Sequence, residues 1–147
     1  MKKSERLGTV LKLEEMKEQQ AVKRFTDART QLTQETQKLE QLVAYRREYE
    51  EMITEQGRQG IAARQLQSYH HFLNKLNQAI SQQQQQLVVI EREAQQQEQA
   101  WLQQRGATTN MGNLVNRYAQ SERITAERRE QKEADERAQH LAGALLS

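Results

Sequence analysis

Apolar residues recur at alternating steps of four and three along the first third of the chain. Fourteen positions follow this spacing, and ten of them are Leu, Ala, Phe, Tyr or Ile. Such a repeat lays one apolar seam along a helix that packs against another helix. Because Ser4 can serve as an N-cap, the pattern predicts a helix over about residues 4–54. The positions are Leu7, Leu11, Glu14, Glu18, Ala21, Phe25, Ala28, Leu32, Glu35, Leu39, Leu42, Arg46, Tyr49 and Ile53.

A glycine-containing segment interrupts this seam, and a second seam follows it. Gly57 and Gly60 give the backbone the freedom of a turn over about residues 55–62. Beyond the turn, eight of ten positions at the same spacing are apolar, which predicts a second helix over about residues 63–140. These positions are Tyr69, Leu73, Leu76, Ile80, Gln83, Leu87, Ile90, Ala94, Gln97 and Trp101.

Two seams joined by a short turn indicate an all-α fold. We predict a long antiparallel two-helix coiled-coil hairpin that forms a single domain over residues 1–147. If the turn centres near Gly60, facing residues have numbers that sum to about 120. Tyr49 then lies level with Phe72, and Leu32 lies level with Val88.

The second helix is longer than the first, so its end has no partner in the hairpin. Residues beyond about 114 extend past the start of the first helix as a C-terminal helical overhang, from Arg117 to His140. Gly106 and Gly112 predict a weak point in the second helix at 106–113.

Composition and charge exclude several function classes. The 147 residues include no Pro and no Cys, with 22 Lys+Arg against 20 Asp+Glu. The absence of Pro favours long uninterrupted helices, and the absence of Cys removes disulfides and cysteine chemistry. Basic residues alternate with acidic ones, so no stripe of one sign forms and we expect no nucleic-acid binding.

No catalytic constellation is visible in the sequence. It has no glycine-rich phosphate loop, no nucleophile motif and no carboxylate pair that a hairpin would hold in a closed pocket. The neighbours His70 and His71 point to different helix faces, and His140 is far along the chain. We therefore expect no enzyme activity, no metal and no cofactor. No secretory signal or membrane span is present, so a cytoplasmic protein without direct membrane insertion is expected.

A second apolar row lies beside each seam close to the turn. Since two helices share only one seam, part of these rows must stay exposed or be covered by a partner. The tyrosines favour a partner-binding patch. The alternative is that the rows broaden the hairpin end and cover the turn, with Ile61 and Leu66 folded over them, while Trp101 lies in the core. The rows are Leu42, Tyr45, Tyr49 and Met52 on the first helix, and Tyr69, Phe72, Leu76 and Ala79 on the second.

These rows are part of a pattern that resembles a known family. Its parts are Tyr45-x3-Tyr49, the Gly57/Gly60 turn, Tyr69-x2-Phe72-x3-Leu76-x3-Ile80, Trp101, and Glu130-Gln131-Lys132-x2-Asp135-Glu136-x-Ala138-Gln139. In order, spacing and chain length they resemble the FliJ family, the small soluble component of the flagellar type III export apparatus. The likeness is close over residues 40–101 and good over 128–140, whereas RGATTNMGN departs from the family.

The resemblance implies a non-enzymatic stalk protein, similar to the stalk subunit of rotary ATPases, with its terminal end inserted in the flagellar export ATPase hexamer. It also implies binding to the cytoplasmic domain of the export-gate membrane protein, transient handling of export chaperones, and a peripheral position on the inner membrane at the flagellar base. The implied gate-binding face is Leu42, Tyr45, Tyr49, Phe72, Leu76 and Ala79. The implied ATPase contacts lie on the overhang, at Arg123, Arg128, Gln131, Lys132, Asp135 and Glu136.

A scaffold protein is the alternative function. In that case the Tyr and Phe rows would form the interface of a four-helix dimer, and the chain would act as a self-associating coiled-coil tether. The molecular mass in solution separates the two functions, because a stalk acts as one copy per ring.

Overall fold

The computed structural model describes residues 1–146, which form two long helices. Helix α1 spans Lys3–Gln59 and helix α2 spans Ala63–Leu146, and the described part of the chain contains no strand. Between them, Gly60 has a φ of 90°, a left-handed conformation that glycine adopts without a clash at Cβ. The helices pack against each other as an antiparallel hairpin, which confirms the predicted fold class.

The predicted seam positions are the ones that the helix packing covers. All fourteen positions on α1 and all ten on α2 are at least partly buried. Burial of this apolar stripe, more than intrinsic helix propensity, stabilises helices in a pair. The most buried apolar residues are Ala21, Leu76, Ile80, Ile90 and Ala94.

Both helices extend further than the sequence predicts. α1 continues through Gly57 to Gln59 instead of ending near residue 54, and α2 runs to Leu146 instead of about residue 140. α2 also passes through 106–113 without interruption, so the expected weak point is absent from the described helix. A glycine costs about 1 kcal/mol in a helix interior, a penalty that packing nearby offsets. Gly106 lies on the exposed face, while Met111 is half-buried on the seam.

Contacts divide the described chain into two compact units within the span for which the sequence predicts one domain. The middle unit is Ala21–Trp101, and the terminal unit combines Met1–Gln20 with the described residues from Leu102 onward. In each unit a stretch of α1 packs against a stretch of α2.

The observed register agrees with the prediction within each unit. In the middle unit, the ring centroids of Tyr49 and Phe72 are 4.6 Å apart, as predicted for that pair. In the terminal unit, the Cδ1 atom of Leu11 lies 3.9 Å from the position that a Cβ on Gly112 would occupy. Val88, expected level with Leu32, is 55% exposed, because the heptad step puts its neighbour Leu87 on the seam.

Ser4 does not cap α1 as predicted. The Lys2 carbonyl already accepts a hydrogen bond from the Arg6 N–H at 3.2 Å, so Ser4 lies inside the first turn. Its backbone N–H and its Oγ donate to the Glu122 carboxylate at 3.1 and 2.5 Å. Glu122 thus satisfies one of the N–H groups that the start of a helix leaves without an intrahelical acceptor. We call this contact the Ser4–Glu122 clasp.

Candidate partner-binding surfaces

Four aromatic rings meet beside the turn, all within the middle unit. The Tyr45 ring meets the Phe72 ring edge-on at 6.0 Å between centroids, and the Tyr49 ring meets the Tyr69 ring edge-on at 5.8 Å. Edge-to-face pairs at such distances are favourable because the positive ring edge faces the negative ring face. The rings come from both helices, so the hairpin itself assembles the cluster.

The gate-binding face implied by the resemblance has both exposed and buried members. Tyr45 is 48% exposed and Phe72 is 36% exposed, whereas Leu76 is only 7% exposed. Leu76 is therefore a core residue. A partner can reach the exposed rings beside Leu76 but not Leu76 itself. We call the accessible remainder of this face, together with the exposed Met52 of the same apolar row, the tip patch. It consists of Leu42, Tyr45, Tyr49, Met52, Phe72 and Ala79.

Hydrogen bonding fixes one edge of the aromatic cluster. The Tyr69 hydroxyl donates to Gln56 Oε1 at 2.5 Å and accepts from Gln65 Nε2 at 3.0 Å. Ile61 and Leu66 are half-buried close to the turn, as expected if they cover part of it. Tyr69 thus has its polar group satisfied within the chain.

The Tyr49 phenol within the tip patch is held in its neutral form. Burial raises the pKa of the Tyr49 phenol, and the neighbouring Tyr69 and Tyr45 phenols raise it further because two phenolates would repel. On the seam beside the patch, the Arg46 guanidinium donates to Asn77 Oδ1 at 3.1 Å. The surface therefore offers apolar rings with neutral polar groups at their ends, a composition common in protein interfaces.

A polar layer interrupts the apolar seam in the middle unit. Gln83 Nε2 donates to both the backbone carbonyl and the carboxylate of Glu35, at 2.9 and 2.6 Å. Lys38 Nζ lies 3.2 Å from the same carboxylate. The bond from Gln83, followed by the one from Lys38, lowers the pKa of the Glu35 carboxyl. We call these three residues the Glu35 layer.

A second layer of the same design lies in the terminal unit. Gln104 Nε2 donates to the backbone carbonyl and the carboxylate of Glu14, at 3.2 and 2.5 Å, and Lys17 Nζ lies 3.5 Å from that carboxylate. Thr108 Oγ1 lies within hydrogen-bond distance of the same Glu14 carbonyl, at 3.2 Å. The bond from Gln104 is the main cause that lowers the pKa of the Glu14 carboxyl. We call Glu14, Lys17 and Gln104 the Glu14 layer.

The end of α2 is uncovered. Tyr118, with Lys3 Nζ 4.5 Å from its ring centroid, and Glu122 of the clasp are the last residues of α2 that contact the start of α1 through a cation–π contact or a hydrogen bond. Every described residue from 123 to 146 is exposed. We call residues 123–146 the overhang; the sequence predicts that it begins nearer 114. All six residues implied as ATPase contacts are exposed on it, and Gln131 Nε2 donates to Asp135 Oδ1 at 3.2 Å.

Sequence reasoning missed the part of the seam between Trp101 and Glu122. The spacing continues there without a break, but Gln104 and Thr108 are polar, and Gly106 and Gly112 suggest a turn. The signal was the unbroken step of three and four residues. Trp101 itself stacks on Phe25 with 5.7 Å between ring centroids, in line with the core position expected for it.

The described residues contain neither a cluster of metal-binding side chains nor a membrane-spanning helix. No three His, Cys, Asp or Glu side chains there lie close enough together to hold a metal ion. Neither described helix contains an apolar stretch long enough to cross a membrane.

Comparison with known proteins identifies one family. A family model described as flagellar FliJ protein matches residues 2–144, which include all of α1 and all but the last two residues of α2. The comparisons with curated proteins and with solved structures give no match.

Proposed function

Since the chain belongs to the flagellar FliJ protein family, a non-catalytic component of the flagellar export apparatus, we propose that it acts as a stalk. The stalk would couple the hexameric export ATPase to the cytoplasmic domain of the export-gate membrane protein. In this role the chain catalyses no reaction. It binds two partners through two separate surfaces and acts through the contacts it makes with them.

The uncovered overhang is the observation that carries this proposal. A single helix whose every described residue is exposed buries no apolar face and is marginal in water, so a partner is the expected source of its stabilisation. The overhang has five basic and five acidic residues, interspersed so that no more than three charges of one sign follow each other. Such a surface can form ion pairs with each subunit of a ring without strong net attraction to any one of them.

The tip patch supports the second contact, with the gate. Tyr45 and Phe72 expose large rings on the middle unit, and Tyr residues combine apolar area with a polar end. Aromatic anchors of this kind dominate the binding energy of many interfaces. We assign the gate to the tip patch and the ATPase to the overhang.

Two further parts of the proposal follow from the family. The chain would escort export chaperones transiently between rounds of export. It would be cytoplasmic and peripherally associated with the inner membrane at the flagellar base, through its protein partners.

Reciprocal variants test the assignment of the two surfaces. A chain that ends at Glu122 lacks the overhang but keeps the clasp; it should lose stimulation of the export ATPase and keep binding to the gate domain. The variant with Tyr45→Ala and Phe72→Ala should show the reverse. ATPase rate and pull-down of the gate domain are measured on both variants, with thermal unfolding as the control for folding. If either variant loses both activities while still folded, the two-surface assignment is wrong.

The alternative function is a self-associating tether, and the exposure of Tyr45, Met52 and Phe72 is the observation that favours it. A second copy would cover the tip patch and form a four-helix dimer. Light scattering on the isolated protein tests this: a tether would have twice the mass of the 17.2 kDa chain.

A further inference from the structure

The Glu14 and Glu35 layers repeat one arrangement at equivalent places in the two units. Each has a Glu on the α1 seam, a Lys three residues later and a Gln on the α2 seam. The two Glu residues are 21 positions apart, 35 against 14, and so are the two Gln residues, 104 against 83. Since 21 residues are three heptads, each layer occupies the same heptad positions.

Within each layer the hydrogen bonds use both donors of the Gln amide. A Gln side chain has two N–H hydrogens, and in both layers the amide nitrogen bonds the carbonyl and the carboxylate of one Glu. No amide donor is left for another chain. The Glu side chains are 16% and 19% exposed, and the Lys side chains that accompany them are 63% and 51% exposed. Each layer is therefore complete within one hairpin and remains at the edge of water.

We propose that these two layers keep the chain a monomeric hairpin, because they make its seam unsuitable as the core of a four-helix assembly. This inference does not depend on the proposed stalk function. It concerns what the seam excludes, whereas the stalk proposal concerns what the tip patch and the overhang bind.

Desolvation is the physical reason. In a two-helix hairpin, water reaches both sides of the seam, so an ionised Glu keeps part of its hydration. A second hairpin packed on the seam would remove that water from the carboxylate and from the Lys that must stay hydrated. The second hairpin would carry the same layers, whose amide donors are already used, so it could not replace the lost hydrogen bonds. Buried polar residues at single seam positions specify oligomeric state in this way, at a cost in stability.

Replacing both layers by apolar residues tests the proposal. The seam variant carries Glu14→Leu, Glu35→Leu, Gln83→Leu and Gln104→Leu. We expect it to unfold at a higher temperature than wild type and to double in mass or more by light scattering. The unaltered chain should have the 17.2 kDa mass of one copy at the same concentration.

A matched control adds the same four leucines to exposed neighbours of the layers, as Glu15→Leu, Glu40→Leu, Gln82→Leu and Gln103→Leu. The control should stay monomeric, or associate far less than the seam variant. If the seam variant fails to fold, the pair Glu35→Leu with Gln83→Leu changes one layer only and should still shift the mass upward.

Three results would overturn the inference. One is a folded seam variant, quadruple or pair, that stays at the mass of one copy. The second is a control that associates as strongly as the seam variant, and the third is a dimeric wild-type chain. Loss of ATPase stimulation in any variant does not enter this test. A dimeric wild-type chain would count against both proposals, whereas a folded seam variant that stays at the mass of one copy would overturn the role of the layers alone and leave the stalk function standing.

Discussion

Truncating Tyr45 and Leu76 to Ala in two separate variants should separate binding from stability. Both residues lie on the face that the family resemblance implies for gate binding. Their exposures differ, however, at 48% for Tyr45 and 7% for Leu76. We expect Leu76→Ala to lower the free energy of unfolding more than Tyr45→Ala does. Tyr45→Ala should in turn weaken binding to the gate domain more than Leu76→Ala does.

The magnitudes follow from these exposures. Truncating a buried Leu costs about 2–5 kcal/mol, because a cavity adds to the lost apolar burial. Tyr45 buries about half of its side chain, so the lost area costs roughly 1.5 kcal/mol. Its edge-on contact with Phe72, at 6.0 Å between centroids, adds about 0.5–1 kcal/mol. For binding, removal of a central aromatic anchor costs about 2 kcal/mol, or roughly 30-fold in Kd.

The assay is a titration with the gate cytoplasmic domain, well below the unfolding temperature of both variants, together with chemical denaturation of each variant alone. At that temperature Leu76→Ala should bind within about twofold of wild type, since its methyl groups do not reach the surface. If Leu76→Ala weakens binding as much as Tyr45→Ala while both are folded, the division of this face into core and surface is wrong. If Tyr45→Ala leaves Kd unchanged, the tip patch does not bind the gate.

Four further variants have expected outcomes in unfolding or titration experiments. Gly106→Ala should raise the free energy of unfolding by about 0.5–1 kcal/mol, because Gly106 is helical and nothing lies within 4 Å of the added Cβ. Gly60→Ala should lower the free energy of unfolding by about 1 kcal/mol, because the φ of Gly60 is 90°. Glu35→Gln should lower the unfolding temperature at neutral pH and have a smaller effect in acid. Hydrogen bonds from Gln83 and Lys38 hold the pKa of the Glu35 carboxyl below its ordinary value, so its contribution is present above that ordinary value and is lost as the pH falls through the folded one. Lys3→Ala should raise the pKa of the Tyr118 phenol, followed by ultraviolet absorbance, because a hydrogen bond with Lys3 and its charge lower that pKa; an unchanged pKa would mean that the Lys3–Tyr118 contact does not persist in solution.

Much of this fold was predictable because a two-helix pair is specified mainly by the period of its apolar residues. Leu7 is the first position of the seam predicted on α1, and Trp101 is the last position of the seam predicted on α2. Both side chains are partly buried, as expected. The errors occurred at glycines, because a glycine favours a turn in an isolated segment but is tolerated inside a helix that packing stabilises. Gly57 and Gly106 were assigned to a turn and a weak point, yet a glycine on the exposed face of a packed helix leaves its backbone hydrogen bonds in place.

The candidate surfaces were predictable in part. Periodicity located the rows that contain Tyr45 and Phe72, and their exposure agrees with a partner-binding patch. It could not show that Leu76 is buried, because exposure within a row depends on how far the facing helix reaches over it. The polar layers were not predicted either: Glu14 and Gln104 are 90 positions apart, and only the register brings them together.

The overhang also differs mechanically from the stretch of α2 before it. Up to Glu122, α2 of the terminal unit lies against α1, and twisting one helix there would have to break the Ser4–Glu122 clasp and the Glu14 layer. Beyond Glu122 every described residue is exposed, so a single helix without the covering of α1 resists twisting there. The overhang is therefore the torsionally soft part of this unit. A turning force applied at its end is transmitted to the paired stretch, but most of the resulting angle appears as twist within residues 123–146.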